Sequence, residues 1–170
     1  MPEQAPPSTS APETRAKTRL VAITLDPASI GRQNSNIEQE REVAIYDILE
    51  ANHFAVEGHD GGPYTLNLAI ADDRLVFRVG QEGSDASFSF MFSLTPLRRI
   101  IKDYFIVCES YYHAIRTAPP SRIQAIDMGR RGLHDEGSRV LLERLKGKIT
   151  VDQDTARRLF TLICALHWKG

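Results

Sequence analysis

The chain has 170 residues, of which 42% are hydrophobic and 25% charged, and its formal net charge at pH 7 is −1. These values are typical of one globular domain, and the small net charge argues against nucleic-acid binding by the whole domain. No stretch approaches the roughly 18 apolar residues of a membrane span, and no signal peptide is recognisable. We expect a cytoplasmic protein in which Cys108 and Cys164 are buried free thiols, with a disulfide or a reactive thiol as the alternative.

The first residues are polar and lack apolar periodicity. Residues 1–18 are rich in Pro, Ala, Ser and Thr, so we expect a disordered tail before a single domain over residues 19–170. "RLVAITLD", from Arg19, predicts the first strand. The turn signal Asp26-Pro27 ends it.

A helix is predicted next, with Ser35 and Glu38 as a capping box. The residues predicted to form its apolar side are Val43, Ile45, Tyr46, Ile48 and Leu49. Glu38, Glu40 and Glu42 crowd its first turns, where the helix dipole favours acidic side chains. They need no catalytic explanation.

Three segments with alternating apolar residues then predict a β-meander. The segments are "PYTLNLAIA", "RLVFRV" and "ASFSFMFSL", and the first two are joined by a tight turn at Asp72-Asp73. Period-two alternation predicts antiparallel strands with one buried face. The phenylalanines predicted to share a face of the last strand are Phe88, Phe90 and Phe92.

Thr95-Pro96 is predicted to cap a long helix that runs to Thr117. Its broad apolar face comprises Leu97, Ile100, Ile101, Tyr104, Phe105, Cys108, Tyr111, Tyr112 and Ile115. We expect this face to pack on the phenylalanine face of the last meander strand. The tyrosines are interpreted as core-edge residues with satisfied hydroxyl groups rather than as a platform for stacking bases.

Two more helices follow, one capped by Ser121 and one capped by Asp152 or Asp154. The residues predicted to face inward from the last helix are Leu159, Phe160, Leu162, Ile163 and Leu166. The predicted order is β-α-β-β-β-α-α-α. This order indicates an α+β fold, in which an antiparallel sheet of the meander and the N-terminal strand is covered by about four helices.

The segment "DMGRRGLHDEGSRVLLERLKGK" reads as a helix, yet it contains Gly129, Gly132 and Gly137. Three interior glycines cost a helix roughly 3 kcal/mol relative to alanines. Asp127, Arg130 and His134 fall on one side at helical spacing. Ala125, Gly129 and Gly132 form an adjacent strip that would admit a close backbone or a ligand.

Several interpretations of this segment are open. In one, the helix breaks near Gly132. In another, the helix is continuous and Asp127, Arg130 and His134 form a buried structural ion pair with a hydrogen-bonded histidine. Alternatively, Arg130 and Arg131 are forked donors to an anionic ligand or partner. A metal-binding or catalytic His134–Asp135–Glu136 group would require a loop, because adjacent helical residues point in different directions.

A second candidate is the glycine-rich loop "EGHDGGPY", which carries His59 and Asp60. It has no P-loop or dinucleotide pattern, and a structural turn into the meander is the alternative. The histidines lack metal-ligand spacing, and no nucleophile-elbow motif is present. We therefore predict no metal and no cofactor.

The sequence resembles a small bacterial family, uncharacterised protein family 0262, over roughly Leu20 to Trp168. The segments that carry the resemblance are "VAIYDILE", "GPYTLNLAIADDRLVF", "SLTPLRRIIKDYFIVCESYYHAIR", "AIDMGRRGLHDEGS" and "DTARRLFTLICALHW". The resemblance implies a bacterial cytoplasmic protein and no particular activity, cofactor or catalytic residue.

Our leading hypothesis is a non-catalytic binding or regulatory module for a protein partner or a small anionic ligand. One alternative is a small enzyme with a polar site formed by residues 57–64 and 127–138. Another is nucleic-acid binding through a local basic face of Arg98, Arg99, Lys102 and Arg116.

Overall fold

The computed structural model describes residues 17–30 and 35–167, so the part of the predicted tail that precedes Lys17 lies outside the described residues. The elements within these ranges are β1 (Leu20–Leu25), α1 (Ser35–Glu50), β2 (Phe54–Val56), β3 (Tyr64–Ala71), β4 (Arg74–Gln81), β5 (Ser87–Ser93), α2 (Thr95–Thr117), α3 (Pro120–Leu145), β6 (Ile149–Val151) and α4 (Gln153–His167). The α+β class is confirmed, as are the four helices within the described ranges. None of these helices is long and apolar enough to cross a membrane.

The main sheet has the strand order β1-β3-β4-β5. The meander is confirmed, and Asp72 and Asp73 join β3 to β4 with φ angles of 51° and 60°. Two successive positive φ angles are the geometry of a two-residue hairpin turn that follows the twist of the strands. The antiparallel prediction is wrong for β1, which pairs parallel with β3. The chain returns through α1, and such a helical crossover brings the next strand back in the same direction.

The sequence prediction missed β2 and β6, which form a separate two-stranded antiparallel sheet. Each strand has three residues, too few for alternation to be recognised in the sequence. Phe54 pairs with Val151 and Val56 with Ile149, and all four side chains are buried. This ladder joins the segment after α1 to the segment before α4.

One contiguous hydrophobic core contains residues from all the described helices and strands. The inward face predicted for α4 is confirmed, and the carboxylate of Asp152 accepts the Thr155 N–H at 2.9 Å as a helix cap. Helix α2 packs chiefly on α3, whereas α4 contacts β3 and α1 contacts β1. The predicted packing of α2 on β5 is therefore not the main helix–sheet contact.

The predicted apolar side of α1 is largely wrong. Ile37, Ala44 and Ile48 face the core, while Val43 and Tyr46 are 51% and 64% exposed. Apolar residues occur nearly all around this helix, so its periodicity does not define one buried side. Ala44 is small and lies on the side that packs on α4, which allows the two helices to approach closely.

The glycine-containing segment is one continuous helix, so the predicted break near Gly132 is wrong. A Cβ atom added to Gly129 or Gly132 would meet none of the described residues within 4 Å, so no close neighbour requires a glycine at either position. At Gly137 one does, since a Cβ atom there would overlap the ring of Phe160 on α4. Of the three glycines, only Gly137 is required by packing.

Candidate functional site

A polar depression of 280 Å³ opens where the four described helices meet. Its lining residues are Glu40 from α1, Tyr104 from α2, Arg130, Arg131 and His134 from α3, and Arg157 from α4. Three arginines thus face one carboxylate in a concave site. We call it the arginine depression.

Asp127 holds the two adjacent arginines of α3. Its Oδ1 accepts from Arg130 Nη2 at 2.8 Å and its Oδ2 from Arg131 Nε at 3.0 Å. The Arg130 guanidinium also lies over the ring of Tyr111, with Cζ 4.0 Å from the ring centroid. Arg130 is therefore fixed and 25% exposed at its side chain, whereas Arg131 is 72% exposed.

The two acidic residues of the predicted metal or catalytic group, Asp135 and Glu136, form ion pairs with arginines. Asp135 pairs with Arg157, and Glu136 pairs with Arg99 at 3.2 Å. Since this segment is helical, His134, Asp135 and Glu136 point in different directions. No group of three metal-binding side chains occurs among the described residues.

His134 does not contact Asp127; its partner is Thr161 on α4. The imidazole Nε2 lies 2.7 Å from Thr161 Oγ1, which itself donates to the Arg157 carbonyl at 3.3 Å. In the tautomer protonated at Nε2, the imidazole donates to Thr161 Oγ1 while the Thr161 hydroxyl donates to the Arg157 carbonyl, so the two bonds form together. Nδ1 is then an unprotonated acceptor, and this buried atom has no partner among the described residues.

The environment of His134 favours its neutral form. Its ring forms a T-shaped pair with Phe160 at a centroid distance of 5.4 Å and lies 5.7 Å from the ring of Tyr104. Burial, followed by the charges of Arg157 and Arg130, lowers the pKa of His134 to about 4. The imidazole is therefore uncharged near neutral pH.

Sequence reasoning missed Tyr104 and Arg157 as members of the site, and it also missed Glu40. The Tyr112 hydroxyl donates to its Oε2 at 2.6 Å and the Tyr104 hydroxyl to its Oε1 at 3.4 Å. This confirms the interpretation of these tyrosines as core-edge residues with satisfied hydroxyl groups. The signal that could have revealed Glu40 is its spacing from Ile37 and Ala44, which places it on the buried side of α1.

The two cysteines are buried and free. Burial and the nearby Glu40 charge raise the pKa of Cys108 to about 12. Burial likewise raises the pKa of the Cys164 thiol. Both side chains are therefore protonated near neutral pH and poorly suited to act as nucleophiles.

The structure does not bring the second candidate, His59 and Asp60, into the arginine depression. His59 Nδ1 lies 3.1 Å from the Tyr64 hydroxyl, and its ring contacts Phe88 edge-on. Asp60 is exposed. In the same loop, Gly62 has a φ of 107°, and a Cβ atom there would overlap the Lys17 carbonyl. These contacts are those of a packed structural turn.

Two of the four basic residues of the nucleic-acid alternative, Arg98 and Arg99, are paired with acidic side chains. Arg98 pairs with Asp73 at 3.0 Å, and Arg99 pairs with Asp103 at 3.4 Å as well as with Glu136. These ion pairs neutralise part of the positive charge that binding to phosphates would use.

Residues 17–169 match the Uncharacterised protein family (UPF0262). The chain belongs to this family. A UPF0262 protein of Nitrobacter winogradskyi is 60% identical over 158 residues, covering 93% of this chain and 95% of the relative. One from Azorhizobium caulinodans is 60% identical over 160 residues, covering 93% and 99%. One from Bradyrhizobium sp. (strain BTAi1) is 61% identical over 153 residues, covering 89% and 91%.

No solved structure matches the chain. The relatives are bacterial and are named only as UPF0262 proteins, so the resemblance is confirmed and carries no activity with it.

Proposed function

We propose that this protein is a non-catalytic binding module whose arginine depression takes a small anionic ligand bearing carboxylate or phosphate groups. The observation that carries the proposal is the convergence of Arg130, Arg131 and Arg157 on one concave site, to which the described part of the chain contributes a single carboxylate, Glu40. Guanidinium groups bind such anions with paired N–H donors.

The arginines are positioned before a ligand arrives, which supports the proposal. Arg130 and Arg131 share Asp127, and Arg157 is paired with Asp135. Each of these contacts uses only part of a guanidinium that has five N–H donors, so donors remain for a ligand. Side chains that are already ordered lose less conformational entropy when a ligand binds.

A binding role is favoured over catalysis by the protonation states in the site. A general acid or base works best when its pKa lies near the working pH, whereas the pKa of His134 is about 4. The thiol of Cys108, next to the site, has a pKa of about 12. His59 and Asp60, the other half of the enzyme hypothesis, are absent from the lining of the depression.

The test is thermal unfolding and calorimetric titration with phosphate, pyrophosphate and citrate, compared with sodium chloride at equal ionic strength. We expect at least one of these anions to raise the melting temperature and to bind with one-to-one stoichiometry, because it stabilises only the folded chain. Arg131→Gln is the most informative variant, since its side chain is exposed and contributes little to folding.

Arg122→Gln is the matched control, because Arg122 is exposed on the same helix and does not line the depression. Binding should weaken in Arg131→Gln and persist in Arg122→Gln. If no probe anion binds, or if both variants bind equally well, the proposal is wrong.

We also propose that the chain works as a single domain in the cytoplasm. The support for this location is that Cys108 and Cys164 are both free, as is usual where thiols are kept reduced. Fractionation of cells that express the protein with a short C-terminal tag would test the location.

A further inference from the structure

The edge strand β5 differs from ordinary sheet edges in its side chains. Its sequence, SFSFMFS, contains no charged residue and no proline, the residues that usually protect an exposed edge from pairing. The sequence is also nearly the same read in either direction from Phe90. Only Ser89 and Met91 break that symmetry.

The register with β4 shows which backbone groups of β5 face outward. Gln81 N–H donates to the Ala86 carbonyl and Leu94 N–H donates to the Asp73 carbonyl, each at 3.2 Å. These two residue pairs continue the β4–β5 pairing by one step at either end. Hydrogen-bonded pairs alternate along antiparallel strands, so even-numbered residues of β5 point their N–H and C=O groups at β4. The residues whose backbone groups point away from β4 are therefore Ser87, Ser89, Met91 and Ser93.

These outward groups are open. All four residues are exposed. On the side away from β4, the described part of the chain offers no backbone partner for their N–H and C=O groups. The other edge strand of the sheet, β1, has a partner for its backbone groups at Leu20. There the Asn52 side chain accepts the Leu20 N–H at 2.7 Å and donates to the Leu20 carbonyl at 3.1 Å.

We infer that the open edge of β5 pairs with β5 of a second copy of this chain, antiparallel, about a twofold axis at Phe90. In this register Ser87 lies opposite Ser93 and Ser89 opposite Met91 of the second copy. All the outward N–H and C=O groups of both strands are then hydrogen-bonded. The two four-stranded sheets become one continuous sheet.

The symmetry of β5 is the reason for choosing a second copy as the occupant. On the core side of the sheet, Phe90 meets Phe90 and Phe88 meets Phe92 of the second copy, so aromatic rings lie across from aromatic rings. Phe88 and Phe90 are only half-buried in one chain, so this pairing would cover apolar surface as well. Because β5 is uncharged, no like charges are brought together.

Two double variants with the same altered positions test the pairing. Ser89→Lys/Met91→Lys places lysines directly opposite each other across the axis, whereas Ser89→Glu/Met91→Lys places glutamates opposite lysines. We expect sedimentation equilibrium to find a dimer for the wild type and the glutamate–lysine variant, and a monomer for the lysine–lysine variant at equal concentrations. Circular dichroism and melting of both variants check that each chain folds.

Hydrogen exchange gives a second readout for the wild type. The Ser89 and Met91 amides should exchange slowly at concentrations where the dimer forms and rapidly after dilution. A wild-type chain that is monomeric at all accessible concentrations would overturn the inference. So would a dimer that the lysine–lysine variant retains, because that dimer would use another surface.

Discussion

Gly137 controls how closely α3 approaches α4. The volume that a side chain would occupy at this residue is filled by the ring of Phe160. The same ring packs against Tyr104 and His134, two residues that line the arginine depression. A change at Gly137 would therefore reach the site through a single aromatic ring.

Gly137→Ala should lower the free energy of unfolding by about 1–3 kcal/mol, the usual cost of overpacking a core. Gly129→Ala and Gly132→Ala should instead raise it by up to about 1 kcal/mol each, because both glycines are exposed and alanine favours a helix. Urea unfolding of the three variants measures both effects. A Gly137→Ala variant as stable as the wild type would show that Phe160 relaxes without cost.

The sequence cannot tell these glycines apart. All three lie in one helical pattern, and propensity assigns each the same cost. Their difference arises from Phe160, which follows Gly137 by more than 20 residues in the chain and meets it only when α3 packs on α4. Our expectation of a close neighbour at Gly129 and Gly132 was wrong for this reason.

His134 should make stability depend on pH between about 4 and about 6.5. Its pKa is lowered from the ordinary value of 6.5 to about 4 in the folded chain, so the unfolded chain binds more protons in this interval. Stability is therefore full above about pH 6.5 and falls as the pH drops towards 4, by roughly 3 kcal/mol from this residue.

The measurement is urea unfolding at several pH values for the wild type and for His134→Gln. Carboxylates also titrate in this range, so the relevant quantity is the difference in the free energy of unfolding between the two chains. The free energy of unfolding of His134→Gln, relative to that of the wild type, should increase as the pH falls. A constant difference from pH 7 to pH 4 would mean that His134 is protonated in the folded chain as readily as in the unfolded one.

At the scale of elements, Glu40 connects α1 to α2 through the hydroxyl groups of Tyr104 and Tyr112. Glu40→Ala would leave both hydroxyls without this acceptor, at a cost of roughly 1–3 kcal/mol. Among the described residues, Glu40 supplies the one carboxylate that lines the arginine depression, so the same variant should bind a probe anion more tightly. We expect stability and affinity to change in opposite directions.

Unfolding and pyrophosphate titration of Glu40→Ala and of Tyr112→Phe separate these two effects. Tyr112→Phe removes one hydrogen bond and leaves the charge of Glu40 in place, so it should lower stability without tightening binding. If both variants bind pyrophosphate with wild-type affinity, the charge of Glu40 does not act on the site.

The elements that sequence patterns predicted well are those with long, one-sided periodicity. The meander alternates over seven or eight residues per strand, and α4 carries an unbroken apolar face, so both were correct. The buried side of α1 was predicted wrongly because Val43 and Tyr46 are apolar but exposed. Arg130, Arg131 and His134 were proposed from local spacing, whereas Glu40 and Arg157 join them only through tertiary packing.

At the scale of the whole molecule, the sheet depends on α4, the last of the described helices. Leu159, Phe160, Leu162 and Ile163 of α4 are fully buried, and α4 contacts β3 and α1. A chain truncated after Gly147 should therefore fail to fold, since it leaves much of the sheet's apolar face uncovered. Circular dichroism and dye binding to exposed apolar surface would check this; a cooperative melting transition in the truncated chain would contradict it.

The short ladder between β2 and β6 has a consequence for the timing of synthesis. Phe54 pairs with Val151, so about half of the chain must leave the ribosome between the two partners. At the usual ~5–20 residues per second, that interval is roughly 5–20 seconds. Throughout it, Phe54 and the apolar face of the meander lack their final partners, which makes the nascent chain a client for whatever cellular factors shield unpaired strands until translation ends.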